Sequence, residues 1–477
     1  MDNHLFKSSS SISKWPFHKV LIANRGEIAV RIIRTCRVLG LQTVAVYSTA
    51  DELALHVQLA DEAVCIGPAN AEQSYLNIGA IISAAQLTGA DAVHPGYGFL
   101  SESAEFAQVC RQNHLKLIGP SPEVIELLGD KETARLTMKK AGLPVVKGSQ
   151  AAITTLAEAN QQAEQIGYPV MLKASAGGGG KGMRIINSAN ELKQQFATAQ
   201  EEAVASFNDN RMYLEQYLPN PRHIEVQIIA DQYGNAVALG ERDCTIQARH
   251  QKVIEEAPAV ILPANVREKM LRWSEQAVRQ LNYEGVGTIE FLYNPDGSFY
   301  FMEMNTRIQV EHTVSEMITG VDIVREQVRI AAGLELDITQ ADLTPHGVSL
   351  ECRINAEDPA RDFLPQSGKV DYLYLPTGNL GVRIDTELYP QWTISPFYDS
   401  MVAKFVSWGP NRQEAIAKMK RVLDEAVIKG VQTNIEFHQA FLEHDDQFAK
   451  GMVTTDYLEK HFLPEWKKGL NHETLRK

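Results

Sequence analysis

The chain has 477 residues, of which 46 are basic and 59 acidic, so its net charge is −13 when the histidines are neutral. At about 150 residues per domain, this length predicts about three domains. A hydrophobic fraction of 44% and a charged fraction of 22% are ordinary for globular proteins and exclude a mainly disordered, collagen-like or coiled-coil chain. The acidic balance argues against nucleic-acid partners, whose phosphates favour basic surfaces. A local basic pocket for a small phosphate stays open.

The cysteines and the apolar runs indicate the compartment. Five widely spaced cysteines without a Cys-x-x-Cys pair favour neither a disulfide framework nor a zinc site, so we expect a reducing cytoplasm. No run approaches the roughly 18 apolar residues that span a bilayer, so we expect no membrane segment. Residues 1–18 contain a serine run but no apolar core of a secretory signal, and we expect a disordered tail there.

Residues 19–130 alternate short apolar runs with helical patterns. Residues 20–23 form an apolar run that ends at Asn24-Arg25-Gly26, after which apolar positions recur at helical spacing through Leu39. Similar segments follow, with strands expected at 42–47, 63–66, 92–94 and 116–118 and helices at 78–87 and 104–112. This alternation predicts a Rossmann-like α/β domain with a parallel sheet. Its first turn has one glycine where a dinucleotide fingerprint has three, which argues against NAD.

Residues 131–217 contain a glycine-rich loop between two expected strands, 168–173 and 184–186. The loop includes Gly178, Gly179, Gly180 and Lys181, and Lys173 stands at the end of the strand before it. Bare amides flanked by lysines favour a phosphate-binding flap over a merely flexible hairpin. It is not a P-loop, because a P-loop leads into a helix and ends in Gly-Lys-Ser/Thr. We expect a lid over a phosphate site.

Residues 218–462 form a strand-rich third region, followed by a short tail over 463–477. Strands are expected at 226–229, 236–239, 286–293 and 298–304, and helices at 266–281, 318–332 and 412–427. The sequences Asp231-Gln232-Tyr233-Gly234-Asn235 and Asn294-Pro295-Asp296-Gly297 supply the residues of hairpin turns. The pattern predicts a large α+β domain built on antiparallel strands.

Two glutamates stand on neighbouring strands of one expected hairpin. A turn centred between Asp296 and Gly297 places Glu290 directly opposite Glu303, with Cβ atoms about 5 Å apart. Facing carboxylates among large apolar residues need a cation or a shared proton. Oxygen ligands alone predict Mg²⁺ or Mn²⁺.

Polar residues continue at every second position after this pair. Glu303, Asn305, Arg307, Gln309 and Glu311 alternate with apolar or small residues, so an extended segment would direct all five side chains to one side. A solvated outer face is the alternative. The position of Glu303 behind a Phe-Tyr-Phe strand favours a metal-centred active site.

Other candidates carry less weight alone. The basic stretch with Arg242, Arg249, His250 and Lys252 is as consistent with a solvated loop as with a site. Cys244 lacks an oriented base in the sequence, which favours a bystander thiol, and His223 is more typical of a structural hydrogen bond. The loop at 94–102 follows a strand at the edge where open α/β sheets bind ligands.

Seven segments in order resemble biotin carboxylase, a family with the ATP-grasp fold. They are residues 22–29, 94–102, 129–131, 249–258, 303–312, 353–359 and 398–401, and the resemblance covers about residues 19–462. It implies an N-terminal Rossmann-like domain, a glycine-rich lid and a large antiparallel C-terminal domain. It also implies ATP-dependent carboxylation of biotin through carboxyphosphate.

The resemblance also implies roles for individual residues. ATP is expected at Lys131, Lys173, the glycine loop (Gly178, Gly179, Gly180, Lys181), Glu215, Leu218, His223 and His250, and the metal at Glu290, Glu303 and Asn305. Bicarbonate is expected at Lys252, Arg307, Gln309 and Val310, with Glu311 as the general base. Arg353 is expected to stabilise the biotin enolate, with Tyr97 near the biotin.

Several positions depart from the family pattern without removing an expected catalytic group: Ala176, Gln216, Ala248, Thr313 and Gln366. No Met-Lys-Met segment for biotin attachment is present, so we expect a separate subunit that acts on biotin carried by another protein. The resemblance implies a homodimer with a biotin carboxyl carrier protein and carboxyltransferase subunits as partners. The expected reaction is the first half-reaction of a bacterial acetyl-CoA carboxylase, in fatty acid synthesis. The alternatives are the biotin carboxylase subunit of another acyl-CoA or pyruvate carboxylase, a different ATP-grasp ligase and a non-enzymatic paralogue.

Overall fold

The computed structural model describes residues 15–149, 151–175, 183–207, 209–249 and 251–474. Its first sheet has five parallel strands in the order β3-β2-β1-β4-β5. The strands are β1 Lys19–Ile22, β2 Gln42–Ser48, β3 Glu62–Gly67, β4 Ala92–His94 and β5 Lys116–Leu117. The helices of this unit are α1 Gly26–Val38, α2 Leu55–Leu59, α3 Ile78–Thr88 and α4 Ala104–Gln112. Next come α5 Pro122–Gly129 and α6 Lys131–Lys140, whose apolar residues join the core of the later antiparallel sheet. The Rossmann-like prediction is confirmed.

Local signals explain where the helices next to the cleft begin and end. Helix α1 buries the apolar stripe of Ile28, Ile32 and Ile33, and the chain turns after it at Gly40, where φ is +74°. The Asp130 carboxylate accepts a hydrogen bond from the Thr133 amide and caps α6. Lys131 is therefore the first residue of α6.

The second unit is a small α/β lid. A three-stranded antiparallel sheet has the order β7-β6-β8, with β6 Val170–Ala174, β7 Arg184–Ile186 and β8 Met212–Gln216. Helices α7 Leu156–Ile166 and α8 Ala189–Phe207 pack on it. The unit has a separate apolar core that includes Leu172 and Leu214.

The third unit is an eight-stranded antiparallel sheet with the order β13-β12-β9-β10-β11-β14-β21-β19. Its first strands and helix are β9 Arg222–Ala230, β10 Ala236–Ala248, β11 Gln251–Ala257, α9 Ala264–Gln280, β12 Gly285–Tyr293 and β13 Phe299–Asn305. Next come α10 His312–Thr319, α11 Ile323–Ala331, β14 Val348–Asn355, β15 Glu357–Asp358, β16 Leu364–Pro365, β17 Gly368–Lys369 and β18 Tyr372–Tyr374. The last are β19 Val382–Thr386, β20 Thr393–Ile394, β21 Met401–Gly409, α12 Arg412–Glu425, β22 Val427–Lys429, α13 Ile435–His444, α14 Asp446–Ala449 and α15 Leu463–Thr474.

Two expectations about this unit were wrong. The helix expected over residues 318–332 is two helices, because Gly320 adopts a left-handed φ of +73° after α10 and Asp322 caps α11. The strand expected to end at residue 239 continues to Ala248 and is buried throughout. The solvated loop that was one alternative for Arg242 is therefore excluded, because Arg242 is buried inside a strand.

The first unit packs directly on the third. One apolar cluster combines Ile28 and Ile32 of α1 with Ile229 of β9 and Val328 of α11. None of the described helices is long and apolar enough to cross a membrane.

Candidate active site

A cleft of about 1130 Å³ lies where the three units meet. It is lined by residues of the α1 start, the lid strands, the Glu290–Glu303 hairpin and the end of β14. Its lining includes these expected site residues: Tyr97, Lys131, Lys173, Glu215, Leu218, His223, Lys252, Glu290, Glu303, Asn305, Arg307, Gln309, Val310, Glu311 and Arg353. Gly178, Gly179, Gly180, Lys181 and His250 lie outside the described residues.

Glu290 and Glu303 are directly opposite each other, as expected. The turn itself is centred on Asp296, because the Asn294 amide donates to the Ser298 carbonyl, and this register alone would pair Glu290 with Met302. A β-bulge shifts the pairing by one residue between Phe291 and Glu290 and brings Glu303 opposite Glu290. The pairing was predicted correctly, but the assumed turn centre was wrong.

The row of carboxylates extends to a third strand. Glu225 of β9 pairs with Glu290 on one side and with Arg242 of β10 on the other. Sequence reasoning missed Glu225. The alternation of His223, Glu225 and Gln227 with apolar residues was the available signal.

Arg242 is fully buried and uses its whole donor set. Its Nε donates to Glu225 at 2.5 Å, and its two terminal nitrogens donate to four side-chain oxygens, those of Gln227, Ser315, Thr288 and Gln309, at 2.6–3.1 Å. Arg242 thereby fixes the orientation of Glu225 and Gln309.

The segment after β13 is not extended. The expectation that alternation along an extended strand brings its five polar side chains to one side was therefore wrong. Strand β13 ends at Asn305, residues 306–311 are irregular, and α10 begins at His312. The polar side chains still converge, because the Asn305 and Gln309 amides both donate to Glu290 Oε1, at 2.9 and 2.8 Å. Arg307 donates to Asn305 Oδ1 and to Glu102, both at 2.9 Å.

Lys252 lies at the centre of the carboxylates. Its ammonium is 2.6 Å from Glu225, 3.0 Å from Glu290 and 2.6 Å from Glu311. Burial acts to raise the pKa of Glu290, but Lys252 and His223 outweigh it and hold that pKa well below its usual range. At neutral pH the cluster is therefore an ammonium among ionised carboxylates.

Glu311 is held between two cations. One oxygen accepts from Lys252, and the other accepts from Arg353 at 3.0 Å. Burial acts to raise the pKa of Glu311, but Lys252 and Arg353 hold it below its usual value. Arg353 also donates to Glu255 at 2.5 Å, and burial raises the pKa of Glu255 to about 7 despite that contact.

Tyr97 reaches this cluster from the first unit. Its hydroxyl donates to Glu27, whose Oε1 is 3.1 Å from the buried Lys404 ammonium. Lys404 also donates to the Val310 carbonyl at 2.9 Å. Tyr97 and Val310 are thus linked through two buried charges.

Lysines occupy the opposite end of the cleft. Lys131 is 3.7 Å from Glu303, and Lys173 forms an ion pair with Glu215. Burial and the charge of Lys131 lower the pKa of Lys173 to about 8. Leu218, buried at the end of the lid sheet, supplies an apolar wall.

The side chains of His223, Glu225 and Glu290 each offer a possible metal-ligand atom, and these three atoms lie within 4.8 Å of one another. His223 Nε2 lies 3.1 Å from Glu290, and the contact with Glu290 raises the pKa of His223 to about 9 against the effect of burial. Burial and the charge of Glu290 raise the pKa of the facing Glu303. The repulsion between the facing carboxylates fits a hard divalent cation. In this structure the amide oxygen of Asn305 accepts from Arg307 instead, and Glu303 is not part of the close group around Glu290.

Cys244 is buried, and burial raises the pKa of its thiol well above the usual value. A protonated, enclosed thiol is a poor nucleophile. The bystander interpretation of Cys244 agrees with this environment.

Three family models match consecutive parts of the chain. The biotin carboxylase N-terminal domain matches residues 16–125, and the biotin carboxylase C-terminal domain matches residues 351–460. The ATP-binding domain of the carbamoyl-phosphate synthase L chain matches residues 130–339. Together they cover the three units that line the cleft.

Characterised relatives match almost the whole chain. The biotin carboxylase of Nostoc sp. is 54% identical over 444 residues, which are 93% of this chain and 99% of that protein. A pyruvate carboxylase subunit of Methanothermobacter thermautotrophicus is 49% identical over 457 residues, 96% of this chain and 91% of that one.

Solved structures of similar proteins share the fold. A Campylobacter jejuni biotin carboxylase complexed with β-γ-ATP matches with a TM-score of 0.90 at 46% identity, over 93% of this chain and 99% of that one. The biotin carboxylase domain dimer of Hydrogenobacter thermophilus 2-oxoglutarate carboxylase, with MgADP, ADP and bicarbonate, matches with a TM-score of 0.89 at 47% identity, over 93% and 98%. With identity near 50% over nearly its full length, the chain belongs to the biotin carboxylase family of ATP-dependent ligases.

Proposed function

We propose that this protein uses ATP and bicarbonate to carboxylate biotin through carboxyphosphate. The observation that carries the proposal is Glu311, an ionised carboxylate fixed by Lys252 and Arg353 in the cleft that also contains Lys131 and Lys173. A base, anion-binding cations and phosphate-binding lysines in one cleft suit the activation of a small anion by ATP.

The lysine end of the cleft would bind the triphosphate. Lys131 at the start of α6 and Lys173 at the end of β6 bring two positive charges to one place. Their mutual repulsion and burial would be relieved by phosphate oxygens. Leu218 and the adjoining hinge would contact the adenine, with His223 on the ribose side.

Glu290, Glu303 and Asn305 would hold Mg²⁺ or Mn²⁺. When bound, the cation offsets the negative charge of the phosphates during transfer. This chain's residues keep the site in place: Lys252, Asn305 and Gln309 all donate to Glu290 Oε1.

Bicarbonate would bind beside Lys252, Arg307, Gln309 and the backbone of Val310. Glu311 would take its proton, because the carboxylate is ionised at neutral pH and cannot turn away from Lys252 and Arg353. A bicarbonate oxygen then attacks the γ-phosphorus, the bond to the β–γ bridging oxygen breaks, and ADP leaves. The product is carboxyphosphate.

Biotin would bind at the Arg353 and Tyr97 end. Carboxyphosphate breaks into CO₂ and phosphate, the phosphate takes the N1′ proton of biotin, and N1′ attacks CO₂. Arg353 would stabilise the enolate oxygen that forms meanwhile, since its guanidinium is already placed beside Glu311.

The partners follow from the reaction. Biotin on a separate biotin carboxyl carrier protein would be the physiological substrate, and carboxyltransferase subunits would use carboxybiotin in the cytoplasm. We expect a homodimer, as in the Hydrogenobacter domain. Acetyl-CoA carboxylation is our first assignment for the downstream step, and another acyl-CoA or pyruvate is the alternative. The 2-oxoglutarate carboxylase domain adds a further candidate that the sequence did not suggest.

The test measures ATP cleavage and carboxybiotin formation with bicarbonate, with and without free biotin. We expect bicarbonate-dependent ATP cleavage that biotin stimulates, together with carboxybiotin. ATP cleavage that instead requires an amine acceptor would assign the protein to another ATP-grasp ligase. No ATP cleavage under any condition would indicate a non-enzymatic paralogue.

A further inference from the structure

The segment that carries Arg307, Gln309 and Glu311 has little backbone bonding of its own. Among the described residues, the peptide groups of 306–311 make only two backbone hydrogen bonds, from His312 to Gln309 and from Val314 to Glu311. A segment without ladder bonds needs side chains to define its path. Glu102 of the first unit accepts from the Thr306 amide at 3.2 Å and holds the start of the segment.

Lys404 holds the other end of the segment. It lies on β21, directly opposite Arg353 of β14 and Asp385 of β19, and is fully buried. Its ammonium donates to the Val310 carbonyl at 2.9 Å, one residue before Glu311. A charge-assisted bond to this carbonyl fixes the peptide plane from which Glu311 projects.

The same ammonium reaches the first unit. Glu27 of α1 lies 3.1 Å from Lys404 and accepts from the Tyr97 hydroxyl. Burial acts to lower the pKa of Lys404, but Glu27, Glu351 and Asp385 raise it, so the residue stays charged. One buried cation thus connects the Val310 peptide with Tyr97.

We propose that Lys404 is a positioning residue that aligns the bicarbonate-binding segment with the biotin-binding side of the cleft. This inference rests on the proposed function. Without the ammonium, the Val310 peptide and the Glu27–Tyr97 pair lose their common anchor. ATP cleavage would then continue with poorer delivery of the carboxyl group to biotin.

The first experiment compares Lys404→Met with Lys418→Met. Lys418 of α12 donates to the carbonyl of Trp408, at 2.9 Å, and Trp408 lies on the same strand as Lys404. Lys418 is outside the cleft lining, so it is a matched control. For Lys404→Met, we expect the KM for bicarbonate to rise about 10- to 100-fold, the factor for one lost charge-assisted hydrogen bond. The carboxybiotin formed per ATP cleaved should also fall, whereas Lys418→Met should change neither.

Glu27→Gln separates the two contacts of Lys404 and serves if Lys404→Met folds poorly. It removes the charge between Lys404 and Tyr97 but keeps Val310 bonded to Lys404. We expect a lower yield of carboxybiotin per ATP with a nearly unchanged KM for bicarbonate. An unchanged yield in both variants would overturn the proposal.

Hydrogen exchange provides a readout that needs no activity. Peptides covering residues 306–311 should exchange faster in Lys404→Met than in the unsubstituted protein and in Lys418→Met. Equal exchange in all three would exclude a positioning role, even if the carboxylation assay itself failed. Absence of carboxybiotin from the unsubstituted protein would instead reject the proposed function.

Discussion

Glu311 shows how the charge of one residue depends on its neighbours. Lys252 and Arg353 each contact one of its oxygens and keep the carboxylate ionised despite burial. The cost of burying this charge is offset only while both cations are present. The residue is therefore ready to accept a proton from a substrate that binds between the same cations.

We predict that Glu311→Gln loses turnover and retains ATP binding. The amide keeps the size of the side chain but cannot take a proton, and loss of general-base catalysis lowers the rate by about 10²–10⁴-fold. Carboxybiotin formation and nucleotide affinity measure the two effects. Near-normal turnover would remove Glu311 as the base.

Arg242 holds Glu225 and Gln309 in place by hydrogen bonds, a role that the sequence did not reveal. We predict that Arg242→Lys lowers the free energy of unfolding by about 3–5 kcal/mol, because an ammonium cannot replace five fixed donors to buried oxygens. Arg267→Lys is the control, since Arg267 pairs with Glu241 from a partly exposed position. Equal effects in denaturant unfolding of the two variants would contradict the prediction.

At the scale of elements, interruptions of regular structure place the functional groups. The bulge in β13 lets Glu303 face Glu290, and the end of β13 at Asn305 lets the next six residues turn back over the carboxylates. Alternation of polar residues predicted that these side chains share a place. It could not predict the irregular path, because side chains from other strands determine that path.

The break between α10 and α11 depends on Gly320. Gly320 has a left-handed φ of +73°, and a Cβ added to it would meet no described atom within 4 Å. A substitution at this position would therefore cost backbone strain alone. We predict that Gly320→Ala lowers the free energy of unfolding by about 1 kcal/mol. Gly129→Ala is the control, since Gly129 is equally open and has no left-handed φ, and a similar loss there would refute the explanation.

At the scale of the whole molecule, buried neutral histidines make stability depend on pH. Burial lowers the pKa to about 4 for His56 and His438 and to about 3 for His94. Between these values and about 6.5 the unfolded chain binds more protons than the folded chain. The stabilisation is thus complete above about pH 6.5 and is lost as the pH falls towards about 4.

We predict that His438→Gln reduces this acid sensitivity. The glutamine amide can still donate to the Arg353 carbonyl, which His438 Nε2 contacts at 2.9 Å, but it does not titrate. Each such histidine contributes about 1.4 kcal/mol per pH unit in this range. The decrease in Tm from about pH 6.5 to about pH 4.5 should be smaller for His438→Gln than for the control His444→Gln, and equal decreases would contradict the assignment.

The net charge of −13 is not spread evenly over the chain, because the described lining of the cleft has as many basic as acidic side chains. Lys131, Lys173, Lys252, Arg307 and Arg353 all line it. An acidic protein can bind phosphate, bicarbonate and a carboxylated product when its cations converge on one cavity.

The amino-acid sequence was enough to predict the alternation of strands and helices in the first unit, the carboxylate pair and the family. These features depend on local periodicity, turn residues and motifs, which residues close together in the chain specify. The roles of Glu225, Arg242 and Lys404 became visible only in the folded protein. Each reaches the site from another strand or unit, and contacts between residues far apart in the chain leave no local pattern that identifies the partners.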